Sequence, residues 1–229
     1  MLTITYVILP QELMVVYSGD NPVSKITTFV DSNYLTGSRS KALVKGTDCP
    51  TTATLLSKTV PSQGREEPVT FKNAACVFEQ NTGRPLRRHH SYTVDEGAFY
   101  GGMSDSFLVV RSIHTVDNYD YIIDFKFHQN GAIGVSVGSV GFIYPNFYTE
   151  AERPYGVKLN DLITAPVHMH AFNFKVDLDI NGTSNRYETI DLSEEKSNIR
   201  GFTPPRTVSQ VKVANSLKST EQEAVLRYT

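Results

Sequence analysis

Two histidines, His168 and His170, have the residue type and spacing most directly suited to chemistry in this chain. They begin an alternating run that ends at Ile180, with apolar residues at every second position. Because side chains alternate faces along a β-strand, both imidazoles are expected on the apolar, inward face. The residues expected to share that face are Phe172, Phe174, Val176, Leu178 and Ile180. Imidazole suits copper, zinc, iron and nickel, so the pair indicates part of a transition-metal site, although a hydrogen-bonded pair of core histidines remains open.

Tyr119 is a second candidate, within the run Thr115–Tyr121, where it stands between the amide of Asn118 and the carboxylate of Asp120. The run joins two strand-like segments, so Tyr119 is expected at the end of a strand. Without further information, the pattern favours a tyrosine of the core or of a strand edge.

Strand signals dominate the elements that must position these residues. Phe107–Val116, Tyr121–His128 and Ala132–Ile143 are rich in β-branched and aromatic residues. The sequence Asn130-Gly131 between the last two runs is a strong hairpin signal. No convincing helical period is sustained. The chain has 229 residues, of which 40% are hydrophobic, enough for one sizeable core. We predict a mainly β chain, forming a large antiparallel sandwich.

Charge and hydropathy exclude several classes of partner. The formal net charge of −2 gives no reason to expect nucleic acid or an anionic membrane surface. No apolar run approaches the roughly 18 residues that a membrane-spanning helix needs. Residues 1–16 are apolar but are interrupted by Pro10 and Glu12, and no basic segment precedes them. They are a poor signal peptide, and a strand over Leu2–Val7 is predicted instead.

Cys49 and Cys76 are the two cysteines of the chain. In a secreted β domain such a pair suits a disulfide, whereas two unrelated buried thiols are the alternative, and the residues leave both open. Asn181-Gly182-Thr183 is a glycosylation sequon. Because such triplets arise often by chance, it predicts no more than a surface turn.

Two motifs at a characteristic separation, together with an acidic segment after them, carry a family resemblance. Thr-x-x-Asn-Tyr-Asp-Tyr from Thr115, His-x-His from His168 and the segment Phe174–Asp179 resemble the catalytic domain of copper-containing primary amine oxidases. The branch of animal diamine oxidase and vascular adhesion protein is most similar. The resemblance extends from about Gln11 to about Asp191, with a weaker match at Glu221–Arg227. It implies one domain over residues 1–229, truncated at both ends, within the large antiparallel β-sandwich of that catalytic domain.

The resemblance assigns four catalytic positions. It implies that Tyr119 is oxidised by copper and dioxygen to topaquinone, whose carbonyl forms a Schiff base with a primary amine. Asp31 aligns with the proton acceptor, although by itself it would be interpreted as a loop carboxylate capping a turn. Tyr17 matches the tyrosine that hydrogen-bonds the quinone oxygen. Phe29 falls at the substrate gate, where an aromatic ring shields the reacting centre from water.

The metal sites and the disulfide are implied in the same way. His168 and His170 match two of three copper ligands. A peripheral calcium site is matched in part by Asp177, the backbone carbonyl of Leu178 and Asp179, because oxygen donors suit a hard cation. A solvated acidic strand end is the alternative for these three residues. The sequences that flank Cys49 and Cys76 resemble the bridge of the family.

The implied reaction is the oxidative deamination of a primary amine, with water and dioxygen, to an aldehyde, ammonia and hydrogen peroxide. The implied partners are the amine, dioxygen and, for the full-length form, a second copy of the chain in a homodimer. The implied location is extracellular or on the cell surface.

One departure from the family pattern supports an alternative. The third copper histidine of the family lies beyond the His-x-His strand, and here no histidine follows His170. A site with two histidines would hold copper weakly, because the number of ligands controls affinity and geometry. A catalytically inactive, truncated amine oxidase-like β-sandwich is therefore the competing hypothesis. A simple two-histidine metal-binding or lectin-like domain ranks last, because it explains neither Asp31 nor Tyr119.

Overall fold

The computed structural model of the chain describes residues 4–61, 64–180, 182–184, 187–201 and 203–225. It is 64% strand and 10% helix, which confirms the mainly β prediction. The strands are β1 Ile4–Tyr17, β2 Thr28–Val30, β3 Thr54–Val60, β4 Val69–Thr93, β5 Gly97–Val116, β6 Tyr119–His128, β7 Ile133–Gly141, β8 Asn146–Phe147, β9 Gly156–Lys158, β10 Ile163–Pro166, β11 His168–Ile180, β12 Tyr187–Ile199 and β13 Arg206–Lys218. The α-helices are α1 Pro22–Ile26, α2 Asp31–Tyr34 and α3 Glu221–Ala224, and 3₁₀ helices span Thr36–Arg39 and Glu150–Tyr155.

The chain divides into two compact units, and the prediction of a single domain stays a prediction. The larger unit is Pro10–Asn173, and the smaller one combines Met1–Leu9 with Phe174–Thr229. In the smaller unit, β12 and β13 form an antiparallel hairpin that pairs Tyr187 with Lys218 at one end and Ile199 with Arg206 at the other. No helix in the part of the chain that the structure describes is long and apolar enough to cross a membrane.

A five-stranded antiparallel sheet forms the centre of the larger unit, in the order β3-β4-β5-β6-β7. The hairpin predicted at Asn130-Gly131 is confirmed, because β6 and β7 pair from Phe127 with Ile133 onward. Gly131 supplies the positive φ of +85° that this turn requires. Period-two alternation and turn residues therefore predict these strands correctly.

The turn between β5 and β6 places the Asn-Tyr motif. Val116 pairs with Tyr119, so Asp117 and Asn118 form a two-residue turn, with Asp117 at φ +55°. Gly141 lies beside this turn, and a Cβ at that position would collide with the backbone of Asn118. A glycine is required here because the end of β7 approaches the turn so closely.

The larger unit contains two hydrophobic clusters. The first surrounds a disulfide between Cys49 and Cys76, whose Cα atoms are 6.6 Å apart. The second is built on side chains from β1, β5 and β6, and its buried members are Leu13, Val15, Tyr17, Val116 and Tyr121. Aromatic residues pack around it, including Phe29, Tyr119 and Phe172. The second cluster therefore holds most of the aromatic residues that the sequence indicates for chemistry.

The face predicted for β11 is correct over only part of the strand. His168, His170 and Phe172 are half-buried, as expected. Val176 and Leu178 were expected to point inward but are 56% and 39% exposed. Alternation decides which face a side chain takes, but burial needs a covering element, and the described residues provide none over these two. The strand predicted at Leu2–Val7 appears as the start of β1 from Ile4, while residues 1–3 and Asn181 lie outside the described residues.

We expect that replacing both cysteines, Cys49→Ala with Cys76→Ala, lowers the free energy of unfolding by about 3–4 kcal/mol. The bridge closes a loop across 27 positions and restricts the unfolded chain accordingly. Urea unfolding with and without dithiothreitol provides the measurement. The reductant should destabilise the wild-type chain but leave the double variant unchanged, and equal stability of both proteins under oxidising conditions would contradict the prediction.

Candidate functional site

Tyr17, at the end of β1, lies flat against His168 at the start of β11. The two ring centroids are 4.5 Å apart and the planes are inclined by only 7°. The backbone fixes this pairing, because the amide of Ser18 donates to the carbonyl of Val167 at 2.9 Å. The residue after the tyrosine is thus bonded to the residue before the histidine. Both rings therefore have little freedom to turn independently.

The turn after Tyr17 is anchored by Glu152, which the sequence analysis did not identify. One carboxylate oxygen of Glu152 accepts from the backbone amides of Asp20 and Asn21 at 3.0 and 2.8 Å, and from the Asn21 side chain at 3.1 Å. Glu152 is only 1% exposed. A buried carboxylate needs such donors to offset its desolvation, so it fixes the path of the chain after the tyrosine.

Tyr119 is hydrogen-bonded to His168, and the geometry fixes the direction of that bond. The Tyr119 hydroxyl lies 2.8 Å from His168 Nε2, and His168 Nδ1 lies 3.3 Å from the carbonyl oxygen of Pro166. A carbonyl only accepts, so Nδ1 carries the hydrogen, and in the neutral ring Nε2 then has the lone pair. Tyr119 therefore donates to the nitrogen lone pair that would bind a metal.

A second tyrosine–histidine pair lies beside the first. The Tyr121 hydroxyl is 2.9 Å from His170 Nδ1, and the centroids of the His168 and His170 rings are 4.9 Å apart. For His170 to bind a metal through Nε2, its Nδ1–H must donate to the Tyr121 oxygen. The two imidazoles thus converge beside Tyr119.

Burial favours the neutral forms of Tyr119, Tyr121 and His170. Burial raises the pKa of Tyr121, with a further contribution from Tyr119, and burial followed by the nearby Tyr17 raises the pKa of Tyr119. Burial and the neighbouring His168 lower the pKa of His170. The tyrosines therefore keep their hydroxyl protons near pH 7, and His170 keeps a lone pair.

Asn118 joins Tyr17 to the turn that precedes Tyr119. Its side-chain amide donates to the Tyr17 hydroxyl oxygen at 2.9 Å and also to the backbone carbonyl of Phe142. In the sequence, Asn118 is a member of the motif around Tyr119, with no predicted role of its own. Its position next to Tyr119 would have been the only sign in the sequence that Asn118 contributes to the site. The bond orients the Tyr17 hydroxyl.

Phe29 and Tyr17 line a cleft of about 270 Å³. The Phe29 ring meets Tyr17 edge-on at 6.4 Å and stacks on Tyr144 at 6.2 Å. The Tyr144 hydroxyl donates to Asp117, and this hydrogen bond is the main reason that the pKa of Tyr144 is raised to about 12. Phe29 therefore lies beside Tyr17 and Tyr144, and its role as a substrate gate stays a prediction.

Asp31 begins α2, and its hydrogen bonds go to residues other than Tyr17, Tyr119, His168 and His170. Its Oδ1 accepts from the Thr36 amide at 2.6 Å and from the Thr36 hydroxyl, and its own amide donates to Glu12 at 2.8 Å. Among the described residues, no hydrogen bond joins Asp31 to Tyr119. Asp31 does share a cavity of about 160 Å³ with Tyr121. The structure thus brings together Tyr17, Tyr119, His168 and His170, and places Asp31 in a neighbouring cavity.

His114 lines the same cavity, although the sequence analysis assigned it no function. Its Nδ1–H donates to the carbonyl of Thr36 at 2.7 Å, and its Nε2 lies 3.0 Å from the Ser112 hydroxyl. Burial, followed by the charge of Lys58, lowers the pKa of His114 to about 4, while the Thr36 carbonyl and the charge of Asp31 act in the opposite direction. The ring is therefore neutral at physiological pH.

The donor atoms fit part of a copper site. His168 and His170 supply two half-buried imidazoles, the ligand type that copper accepts. Within the described ranges, no group of three or more His, Cys, Asp or Glu side chains is placed to hold a metal ion. A third ligand would have to come from elsewhere. The calcium assignment to Asp177, Leu178 and Asp179 stays a prediction.

Comparison with known proteins supports the same family. A family sequence model described as the enzyme domain of copper amine oxidase matches residues 2–229. A putative copper-containing amine oxidase of Margaritifera margaritifera is 43% identical over 227 residues, covering 98% of this chain and 29% of that protein. The copper-containing diamine oxidase of Homo sapiens is 35% identical over 227 residues, covering 98% and 30%.

Solved structures agree with the sequence comparison. Lysyl oxidase of Pichia pastoris superimposes with a TM-score of 0.75 at 30% identity, covering 92% of this chain and 28% of that one. An amine oxidase of Aspergillus nidulans gives a TM-score of 0.74 at 28% identity, covering 92% and 27%. The chain spans less than a third of the length of each of these proteins.

We expect His114 to make stability depend on pH between about 4 and 6.5. The unfolded ring takes up a proton near pH 6.5, whereas the folded ring stays neutral down to about pH 4. The unfolded state thus binds more protons in this window, and the free energy of unfolding falls as the pH falls. Urea unfolding at pH 7 and at pH 4.5 provides the measurement. Between these two pH values, the free energy of unfolding should fall by about 2–3 kcal/mol less in His114→Asn than in the wild-type chain, because asparagine has no titrating ring. Parallel pH dependence in the two proteins would contradict this prediction.

Proposed function

The chain belongs to the copper-containing amine oxidase family, and on that premise we propose that its site oxidises primary amines. One amine R–CH₂–NH₂, one dioxygen and one water give R–CHO, ammonia and hydrogen peroxide, so the amine loses two electrons and dioxygen gains two. The observation that carries the proposal is the Tyr119 hydroxyl, held at 2.8 Å from the lone pair of His168 Nε2. A tyrosine so placed is adjacent to the atom through which a metal would be bound.

We propose that His168 and His170 hold copper through their Nε2 atoms. When present, copper and the topaquinone derived from Tyr119 would supply the electron sink that ordinary side chains lack. The Pro166 carbonyl already accepts a hydrogen bond from Nδ1 of His168, and this tautomer leaves Nε2 available to bind copper. The Tyr121 hydroxyl lies at Nδ1 of His170, and its oxygen would accept the Nδ1–H that His170 carries when it binds copper through Nε2.

Tyr17 has the role of a hydrogen-bond donor towards the ring of residue 119. Its oxygen accepts from Asn118, which leaves its own proton available to donate. Stacking on His168 keeps the Tyr17 ring in one orientation. A fixed donor stabilises negative charge on a nearby oxygen without having to reorganise.

Asp31 has the role of the base that removes a proton from the carbon bearing the amino group. Both hydrogen bonds from Thr36 go to Oδ1, so among the described residues Oδ2 has no hydrogen-bond partner. Phe29 lies two positions before Asp31 and lines the cleft beside Tyr17. Its ring would limit the access of water to the reacting centre.

A non-catalytic amine oxidase-like scaffold is the second candidate. One observation favours it: the described residues supply two imidazoles to the proposed copper position, and no third donor. A scaffold of this kind would keep the disulfide and the sheet but would not oxidise Tyr119. The chemical state of Tyr119 in the presence of copper therefore distinguishes the two candidates.

We also propose a homodimer for the full-length form and an extracellular or cell-surface location. The hairpin of β4 and β5 supports the first, because its outer part exposes Tyr92, Val94 and Tyr100, and Val94 is 90% exposed. The disulfide supports the second, because such bonds persist in oxidising compartments. Sedimentation showing monomers alone would contradict the dimer, and free thiols in the natively isolated protein would contradict the location.

We expect copper(II) and air to convert Tyr119 into a carbonyl-bearing residue that reacts with phenylhydrazine. The expected result is a coloured adduct on the peptide that contains Tyr119, because its hydroxyl is already placed at the metal-binding nitrogen. Visible absorbance and peptide mass mapping provide the measurement.

Two variants control this experiment. Tyr119→Phe should abolish the adduct. Tyr121→Phe should still give an adduct at Tyr119, because the ring of residue 121 is not the one oxidised. An unmodified Tyr119 under saturating copper would reject the oxidase for this chain and favour the scaffold.

A further inference from the structure

We infer that His114 is a positioning residue for Asp31: through Thr36, it holds one oxygen of the carboxylate in place and leaves the other available to take a proton. This inference rests on the proposed role of Asp31 as the base. His114 is buried in β5 and makes no direct hydrogen bond to Asp31 among the described residues. It acts through one intermediate residue.

Thr36 joins the two side chains. His114 Nδ1–H donates to the Thr36 carbonyl at 2.7 Å. The amide of the same residue donates to Asp31 Oδ1 at 2.6 Å, and its hydroxyl donates to the same oxygen. Every polar group of Thr36 is therefore used either to receive the bond from His114 or to hold Asp31.

Thr36 begins a 3₁₀ helix directly after a strained residue, and the short loop between α2 and this helix is hydrogen-bonded to β5. Leu35, which precedes Thr36, has a left-handed backbone with φ +47°, a conformation that costs a residue with a side chain roughly 1 kcal/mol. The loop is bonded to β5 at His114, which also bridges Ser40 through backbone pairing. Local bonds such as that from the Leu35 amide to the Asp31 carbonyl, and the tertiary bond from His114 to Thr36, together offset the cost of this conformation.

His114 is suited to be a fixed anchor. It is 6% exposed, and both ring nitrogens have partners, Thr36 on one side and Ser112 on the other. The Thr36 carbonyl fixes the hydrogen on Nδ1, so Nε2 accepts from the Ser112 hydroxyl. A neutral ring whose two nitrogens are both hydrogen-bonded would lose those bonds if it rotated.

Packing alone would not hold Asp31, because the carboxylate borders open space. Asp31, Thr36 and His114 line one cavity of about 160 Å³, together with Glu12 and Tyr121. A carboxylate next to a cavity can change rotamer unless hydrogen bonds prevent it. Both bonds go to Oδ1, and among the described residues Oδ2 has no hydrogen-bond partner. Oδ2 is therefore the oxygen that can act as the base.

The test compares His114→Asn with His114→Gln. The amide nitrogen of asparagine can occupy the position of Nδ1 and donate to Thr36, whereas that of glutamine reaches the position of Nε2 and cannot. The first measurement is hydrogen exchange of the Thr36 amide, which is independent of copper. We expect near wild-type protection in His114→Asn and exchange at least about tenfold faster in His114→Gln and His114→Ala.

The second measurement is steady-state oxidation by the copper-loaded full-length protein. A displaced base slows proton removal more than amine binding, so kcat should fall about 10- to 100-fold in His114→Gln, with KM changing less than about threefold. The isotope effect from deuterium on the carbon that bears the amino group should rise. Ser112→Ala removes the partner of Nε2 but keeps the bond to Thr36, so its kcat should fall much less than that of His114→Gln.

Each result decides one statement. Wild-type exchange of Thr36 and wild-type kcat in His114→Gln would overturn the inference, even if His114→Ala fails to fold. Equal losses in His114→Asn and His114→Gln would overturn it as well, because the donor would then be irrelevant. Full activity in Asp31→Asn would instead reject the proposed base, while the exchange measurement would still test the bond from His114 to Thr36.

Discussion

The site depends on one hydrogen bond, from the Tyr119 hydroxyl to His168 Nε2. Its direction is set by a second bond, because the Pro166 carbonyl requires the hydrogen of the imidazole on Nδ1. One hydrogen bond contributes only about 1 kcal/mol to stability, so between these two half-buried side chains it matters more for their placement than for stability. The tyrosine and the imidazole therefore constrain each other, and the candidate chemistry results from that constraint.

This bond depends on two strands, β6 and β11, whose functional side chains have the same spacing of two residues. Tyr119 and Tyr121 are two apart in β6, and His168 and His170 are two apart in β11, so each tyrosine meets one histidine at the same separation of 49 residues. A shift of one residue in either strand would turn both partners to the opposite face. The tight turn at Asp117 and Asn118, with Gly141 packed against it, fixes the register of β6 against β5 and so the face that Tyr119 and Tyr121 take.

Much of the fold was predictable, because strand alternation and turn chemistry are local. The hairpin at Asn130-Gly131 and the inward direction of His168 follow from period two. The exposure of Val176 and Leu178 did not follow, because burial depends on what covers a face. The bonds of Asn118 to Tyr17 and of His114 to Thr36 join residues 101 and 78 positions apart. Such contacts depend on register and on a left-handed Leu35, which has no sequence signal. The disulfide and the proposed role of Asp31 needed the family resemblance, since the residues alone were also consistent with two free thiols and a turn-capping carboxylate.

Pulsed EPR of copper(II) bound to the chain is the sharpest test of whether His168 and His170 form the metal site, because it counts the imidazole nitrogens coordinated to the metal. We predict two imidazoles in the wild-type protein, and one in each of His168→Ala and His170→Ala. Tyr121→Phe should keep both imidazoles while weakening the binding of copper, because it removes only the partner of His170 Nδ1. An unchanged signal in the double variant His168→Ala with His170→Ala would show that copper binds elsewhere, and would contradict the proposed site.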